Sequence, residues 1–288
     1  MADGTKIEWT DATWNPVTGC QVKSPGCKHC YAMKLAGTRM KHHPSREGLT
    51  IDTKNGPVWN GRVRLNREWL GQPRQWTKPR MIFVCAHGDL FYEEVPDEWI
   101  DWVFVAMALS TQHVFQVLTK RPDRMLRYLN SSKRLFQPHE PLKNVWLGTS
   151  VEDQLRADER RAPMAALADL GWTTWVSYEP AIGGVRWTGW DFLSWIVSGG
   201  ESGPDARPTH PDWHRATRDF CARRSIPYLF KQWGAYRPCT PAELKTACGA
   251  TLVGRRTERG AYMLRVGKKA AGRELDGVTH DGFPQVAA

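Results

Sequence analysis

The chain predicts an α/β fold: a complete or partial (β/α) barrel of parallel strands, followed by an irregular basic C-terminal segment. Three observations carry that expectation. From Arg80 onward, short apolar runs alternate with helix-length stretches, the rhythm of parallel pairing through right-handed crossovers. Each strand-like run ends in polar or charged residues. No Gly/Ser-rich or Pro-rich linker and no repeat of fixed period interrupts the 288 residues. One main domain is therefore expected over residues 1–235, with a basic extension over 236–288 packed on it.

Taken in order, the segment Ile7–Thr10 and the run Arg62–Leu65 are the first candidate strands. Met81–Cys85 follows, leading into a loop with His87, Asp89 and Phe91. Pro96 opens a helix that continues to about Ser110, with Asp97 and Glu98 in its first turn, where carboxylates complement the helix dipole. His113–Leu118 is the next strand and Arg124–Leu129 a short helix. Asn144–Leu147 is a strand, and a long charged helix spans about Asp153–Leu170. Thr174–Ser177 and Trp195–Val197 are strands, Pro211–Arg224 a helix, and Tyr228–Lys231 the last strand. Seven strands result, or eight with Ile7–Thr10; a doubly wound open sheet is the rival arrangement.

In (β/α) barrels the reactive groups gather where the strands end. The residues after successive strands here are Asp89, then Thr119-Lys120-Arg121, then Thr149-Ser150 with Glu152. Tyr178-Glu179-Pro180, Gly199-Gly200-Glu201-Ser202-Gly203 and Gln232-Trp233 follow. Glycines in the Ser198–Gly203 turn let the backbone approach a ligand closely, and Glu201 would accept hydrogen bonds from a cationic amino group; a plain tight turn is the alternative. Glu179 reads equally as a ligand contact or as a structural partner of Lys120, Arg121 or Lys231. Trp9, Trp14, Trp175 and Trp195 lie in apolar patterns and read as core. Trp233 suits packing better than stacking on a base.

Three cysteines lie within eleven residues, Cys20, Cys27 and Cys30, and the next is Cys85. A [4Fe–4S] cube normally takes four thiolates, so a local triplet leaves one iron open to a small molecule. Zinc is the rival, and it would recruit a fourth ligand such as His29, His42 or His43. Spacing alone leaves both open, beside plain buried thiols.

Composition narrows the class. Hydrophobic residues make up 41% and include 15 Trp, which suits a globular core. No apolar run reaches membrane-spanning length; Trp102–Leu109, the longest, reads as a buried helix. The first residues lack the apolar core of a signal peptide. Seven cysteines form no disulfide pattern, so a reducing cytoplasm is expected. Lys and Arg outnumber Asp and Glu by 40 to 30, a net charge of +10, which favours polyanionic partners. One basic group comprises Lys120, Arg121, Arg124, Arg127, Lys133 and Arg134. The other comprises Arg255, Arg256, Arg259, Arg265, Lys268, Lys269 and Arg273.

Longer motifs carry a resemblance. Glu8–Cys20 reads Glu-Trp-Thr-Asp-Ala-Thr-Trp-Asn-Pro-Val-Thr-Gly-Cys, and Cys27–Ala32 reads Cys-Lys-His-Cys-Tyr-Ala. Leu118–Pro122, the Gly199–Gly203 turn, Phe230–Gly234 and Gly267–Arg273 complete the set. Together they resemble a phage-associated set of proteins similar to radical S-adenosylmethionine enzymes. The resemblance implies that Cys20, Cys27 and Cys30 ligate a [4Fe–4S] cluster whose open iron chelates S-adenosylmethionine. Their places after successive strands make Lys120, Ser150, Glu179, Gly199, Gly200 and Glu201 the candidate cofactor or substrate contacts. The implied activity is radical chemistry on a base of DNA or of a modified nucleotide in the host cytoplasm, specifically an isomerase rearranging an amino-acid-derived substituent on modified thymidine. A one-electron donor such as a flavodoxin or ferredoxin is implied as partner. The alternatives are a lesion-repair lyase of the spore photoproduct lyase type and a zinc-stabilised nucleic-acid-binding protein without catalysis.

Overall fold

A computed structural model describes residues 4–240, 242–243, 250–253 and 260–285. Arg255, Arg256 and Arg259 of the second basic group, and Cys248, lie outside the described residues. A seven-stranded parallel sheet organises the chain: β1 (Ala12–Trp14), β2 (Met81–Val84), β3 (Val114–Thr119), β4 (Val145–Ser150), β5 (Thr173–Tyr178), β6 (Trp195–Gly199) and β7 (Tyr228–Gln232). Between them run α2 (Asp97–Ala108), α3 (Pro122–Leu129), α4 (Gln154–Asp169) and α5 (Pro211–Arg224), after a short α1 (Tyr31–Gly37).

The strand order is β1-β2-β3-β4-β5-β6-β7, so neighbours in sequence are neighbours in the sheet. A doubly wound sheet reverses direction once, at its switch point; this one steps the same way throughout. It is the partial form of the (β/α) barrel. The register supports the count of seven but corrects its membership. Ile7–Thr10 is not a strand; β1 begins at Ala12 and pairs Ala12 with Ile82 and Trp14 with Val84. Thr10 instead caps the strand entry, its hydroxyl donating to the Met81 carbonyl at 2.9 Å. Arg62–Leu65 does not join the sheet either: only Arg64–Leu65 is extended, and it pairs antiparallel with Val17–Thr18. Its apolar character is too short to compete with the continuous Met81–Val84 run for a buried central position.

The chain divides into two compact units, one of residues 1–149, 162–175 and 286–288, the other of residues 150–161 and 176–285. In the first, Trp9, Trp14 and Trp175 are buried, as are Ile82, Val84, Phe115 and Val117. Trp9 packs on Phe83 and Trp175 with ring centroids 4.7 and 5.3 Å apart. Gly148 in β4 lies where a Cβ would overlap the Trp175 indole, so glycine makes room for that ring. Two of the basic residues grouped by sequence, Arg121 and Arg134, turn inward and are buried; the Arg134 guanidinium stacks over the Tyr128 ring at 4.9 Å.

In the second unit, Trp187, Trp190, Trp195 and Phe230 are buried. A polar string crosses this core. Ser198 Oγ lies 3.0 Å from His214 Nδ1 and 2.7 Å from the Tyr228 hydroxyl, and His214 Nε2 lies 2.9 Å from Thr209 Oγ1. The C-terminal stretch contains short elements: Tyr236–Pro238, Thr251–Val253 and Ala261–Arg265 form an antiparallel sheet, and Glu274–Leu275 pairs with Val278–Thr279. Trp233, buried, donates its indole N–H to the Glu274 carbonyl at 2.8 Å, which commits it to packing.

Replacing Gly148 by Ala overpacks the Trp175 ring, and a loss of about 1–3 kcal/mol is expected by denaturant unfolding. The buried His214 makes stability pH-dependent. Burial, with His210 nearby, lowers its pKa from 6.5 to about 3. The folded state therefore resists a proton that the unfolded chain accepts below 6.5. The contribution is fully present above that pH and is lost as pH falls toward 3. A His214→Gln variant should lose less stability than the parent between pH 7.5 and 5, by about 2 kcal/mol.

Candidate functional site

The cysteines lie at the exit of β1. Gly19 and Gly88 bridge the ends of β1 and β2, and their glycine identity is dictated by closeness: a Cβ on Gly19, at φ +96°, would overlap the Arg62 carbonyl oxygen. This contact delivers Cys20 to the loop after β2. Cys27 ends a single 3₁₀ turn, Pro25–Cys27, and Cys30 immediately precedes α1. The thiols are half-buried. Cys20 and Cys30 pack against the apolar group of Ala32, Met33, Ala36, Leu49 and Trp59.

Asp89 gathers this end of the first unit. One carboxylate oxygen accepts from the Thr119 hydroxyl at 2.6 Å and the Phe91 N–H at 3.0 Å. The other accepts from the Lys120 N–H at 3.3 Å and Arg121 Nη1 at 2.9 Å. Arg121 also donates to Glu93 at 2.6 Å and to the Gln21 carbonyl at 3.2 Å, and its guanidinium lies over the Tyr92 ring at 4.7 Å. Its Nη1 lies 3.9 Å from Cys20 Sγ. Burial alone would lower the guanidinium's pKa, but Asp89, Cys20 and Glu93 outweigh it and hold the charge.

Free thiols in this place are poor nucleophiles. Burial, then Asp89, pushes Cys20 up to about 12 against the pull of Arg121. Burial raises Cys30 too, against the N–H groups of Met33 and Ala32 and the charge of Lys120. A metal centre removes that proton, and the same cations then offset the thiolate charge. Donors already point at sulfur: Arg121 at Cys20, and the Lys23 N–H at Cys27 at 3.5 Å. Mutual electrostatic influence among Cys20, Cys27 and Cys30 makes them neighbours. Among the described residues no three His, Cys, Asp or Glu side chains are arranged to hold one metal ion. A cube does not ask for that convergence, because each thiolate meets a different iron. His43, named for zinc, hydrogen-bonds Ser45 through Nδ1 at 2.7 Å. Three thiols in one loop, with donors directed at two of them, are the ligand type an iron–sulfur cube takes.

The remaining strand-end candidates belong to the second unit. Ser150 is buried, and its carbonyl accepts from Arg160, which also pairs with the buried Glu152 at 2.8 Å. Glu179 pairs with Lys231 at 2.8 and 2.9 Å and accepts from Gln232 at 3.0 Å, so of its three sequence-named partners Lys231 is the one engaged. Glu201 accepts from the Arg207 side chain at 2.6 and 2.8 Å and its N–H at 2.8 Å. The turn's glycines answer to backbone closeness: a Cβ on Gly200 would overlap the Trp233 carbonyl, and the positive φ falls at Gly203. Gly199 joins the same packing, its carbonyl accepting from the Ala181 N–H at 3.0 Å.

Sequence reasoning missed Arg46, His87 and Tyr31 as parts of the cysteine end. Arg46 is buried and donates to Ser45 and to His87 Nδ1, while the Tyr31 hydroxyl donates to the Ala86 carbonyl at 2.6 Å. Tyr31 follows Cys30 directly, which is the signal that was available for it. No local pattern marks Arg46.

Removing one member of the buried pair strands the other. Asp89→Ala should cost about 3 kcal/mol or more in urea unfolding. Glu93→Ala should cost under about 1 kcal/mol, because Glu93 is 48% exposed.

Comparison with known proteins comes from three directions. A search among curated proteins gives no match. Among solved structures, a spore photoproduct lyase complexed with dinucleoside spore photoproduct is similar at TM-score 0.42 and 12% identity, over 86% of this chain and 67% of that one. A point mutant of spore photoproduct lyase gives TM-score 0.38 and 14% identity over the same shares. The family model described as "Protein of unknown function (DUF5131)" matches residues 4–284. The chain belongs to that family.

Proposed function

We propose that this chain is a radical S-adenosylmethionine enzyme acting on a base in DNA. The observation that carries the reading is the isolated triplet Cys20, Cys27 and Cys30, held beside Lys120 and Arg121 with donors directed at its sulfurs. Cys20, Cys27 and Cys30 would hold the cluster, which together with S-adenosylmethionine would supply one-electron chemistry for hydrogen abstraction from the substrate. The protein's own part is electrostatic and positional. Arg121, fixed by Asp89 and Glu93, offsets negative charge at Cys20. Lys120 does the same toward Cys30. The apolar residues packed against Cys20 and Cys30 cover one side of these half-buried thiols.

Under this reading Lys120 in the first unit, and Ser150, Glu179, Gly199, Gly200 and Glu201 in the second, face cofactor or substrate. Glu179 and Glu201 act there as ion pairs with Lys231 and Arg207 rather than as bare carboxylates. A DNA substrate is supported by the net charge of +10. A base that reacts must leave the stack, at a cost of about a few kcal/mol. Rearrangement of a substituent on modified thymidine is the specific reaction proposed, with a flavodoxin- or ferredoxin-type protein as electron source. Among the described residues no helix is long and apolar enough to cross a membrane.

The test is anaerobic reconstitution with iron and sulfide. Single Ala replacements of Cys20, Cys27 or Cys30 should abolish iron binding and the broad visible absorption of a cluster, while those of Cys85, Cys221, Cys239 and Cys248 should leave both intact. Retention of iron in the triplet variants, or binding of zinc alone, overturns the reading. Deoxyadenosine release should rise on adding modified DNA. Neutralising even about two phosphates lowers affinity roughly tenfold over a fourfold rise in salt. Equal turnover of the free nucleotide, or salt-insensitive binding, would mean a small-molecule substrate.

A further inference from the structure

His87 follows β2 and is given no role by the cluster or by the ion pairs around it. Its ring is unusually constrained. Arg46 Nη2 lies 2.7 Å and Nε 3.2 Å from His87 Nδ1. A guanidinium has donors only and cannot accept. The bond therefore forces Nδ1 to be the bare nitrogen, and the single ring proton must sit on Nε2. Arg46 is itself held by the Ser45 carbonyl at 3.0 Å and hydroxyl at 2.8 Å. Burial, then the Arg46 charge, lowers the His87 pKa to about 4, so the imidazole is neutral at physiological pH.

Two further facts give the Nε2 proton a direction. The His87 main chain is fixed at the cysteine loop: its carbonyl accepts from the Gly19 N–H at 3.3 Å, and its N–H donates to Asn15 Oδ1 at 3.0 Å. The ring meets Tyr31, the residue after Cys30, edge-on at 6.1 Å between centroids. Among the described residues nothing accepts from Nε2, and the His87 side chain is half-buried. Arg46, only 2% exposed, has no carboxylate partner among the described residues. A buried cation without a counter-charge calls for one, and it polarises the imidazole ring that it holds through Nδ1.

We infer that His87 Nε2–H is a fixed donor for an anionic oxygen, carboxylate or phosphate, of the molecule bound at the cysteine end, with Arg46 as the residue that sets its tautomer. The identification of that molecule rests on the proposed radical chemistry; the tautomer and the anion do not. S-adenosylmethionine offers a carboxylate and DNA a phosphate, so both are candidate sources of the oxygen.

The experiment has two readouts on the full chain. Imidazole ¹⁵N NMR of the cluster-free protein should show His87 with a bare Nδ1 and a protonated Nε2; the opposite tautomer overturns the inference. Equilibrium binding to anaerobically reconstituted protein then uses S-adenosylmethionine in one arm and a single-stranded oligonucleotide in the other. His87→Leu should weaken one of the two by about tenfold or more, the size of a hydrogen bond to a charged acceptor. His87→Gln, whose amide places a donor near Nε2, should restore most of it. Loss in the first arm names the carboxylate, and loss in the second the phosphate. Unchanged binding in both arms, with thermal unfolding of both variants like the parent's, overturns the inference. Failure to take up iron would refute the cluster reading instead, and the NMR and oligonucleotide arms would still decide the role of His87.

Discussion

Buried at the exit of β2, Asp89 accepts from Thr119, Arg121 and the backbone of Phe91 and Lys120, and the cysteine end of the first unit is organised around that convergence. A carboxylate removed from water must recover its hydrogen bonds inside the protein. Here the recovery ties the loop after β2 to the end of β3. Arg121 extends the tie to the cysteine loop through the Gln21 carbonyl and the Cys20 sulfur. Because Arg121 is oriented by Asp89 and Glu93 together, its remaining N–H is delivered to Cys20 without a search through rotamers. The positive charge beside the triplet is thus a consequence of how β2 and β3 end.

The second unit solves the same problem of buried charge with different partners. Glu152 meets Arg160, Glu179 meets Lys231 and Gln232, and Glu201 meets Arg207. Each carboxylate is satisfied by protein groups, so none is an unpaired charge awaiting a ligand. This changes what these residues can do chemically. A carboxylate already paired with a guanidinium or ammonium presents a mixed, nearly neutral surface, suited to a zwitterionic group more than to a simple cation. Arg46 stands in contrast. It is buried and charged, and hydrogen-bonds only neutral partners, Ser45 and His87, among the described residues.

Much of the candidate site was legible, unevenly. The cysteine triplet is local in sequence, so spacing alone exposed it. Strand ends were legible because the apolar runs stop at Cys85, Leu118, Leu147, Ser177 and Val197 and give way to polar residues or glycine within a few positions. Partners were not. Glu179 had three plausible cations, and only the register of β6 with β7, shifted between Ser198 and Gly199, relates the strand that ends in Lys231 and Gln232 to its neighbour. Arg121 and Arg134 read as surface charge within a basic group, yet both turn inward. Charge counting along a chain carries no information on which way a side chain faces.

The sequence by itself determined the alternation of strand and helix, the tryptophan-rich core and the three sulfurs in one loop, because each is written in neighbouring residues and their periodicity. Tertiary structure decided what depends on residues far apart. Ala12–Trp14 rather than Arg62–Leu65 became the edge of the sheet, because edge membership follows from which run finds a parallel partner in β2. Gly200 needs its missing side chain for the Trp233 carbonyl. His87 acquires a fixed proton from Arg46, forty-one residues earlier. Hydrogen-bond partners are set by distance in space, and only the folded backbone converts separation along the chain into that distance.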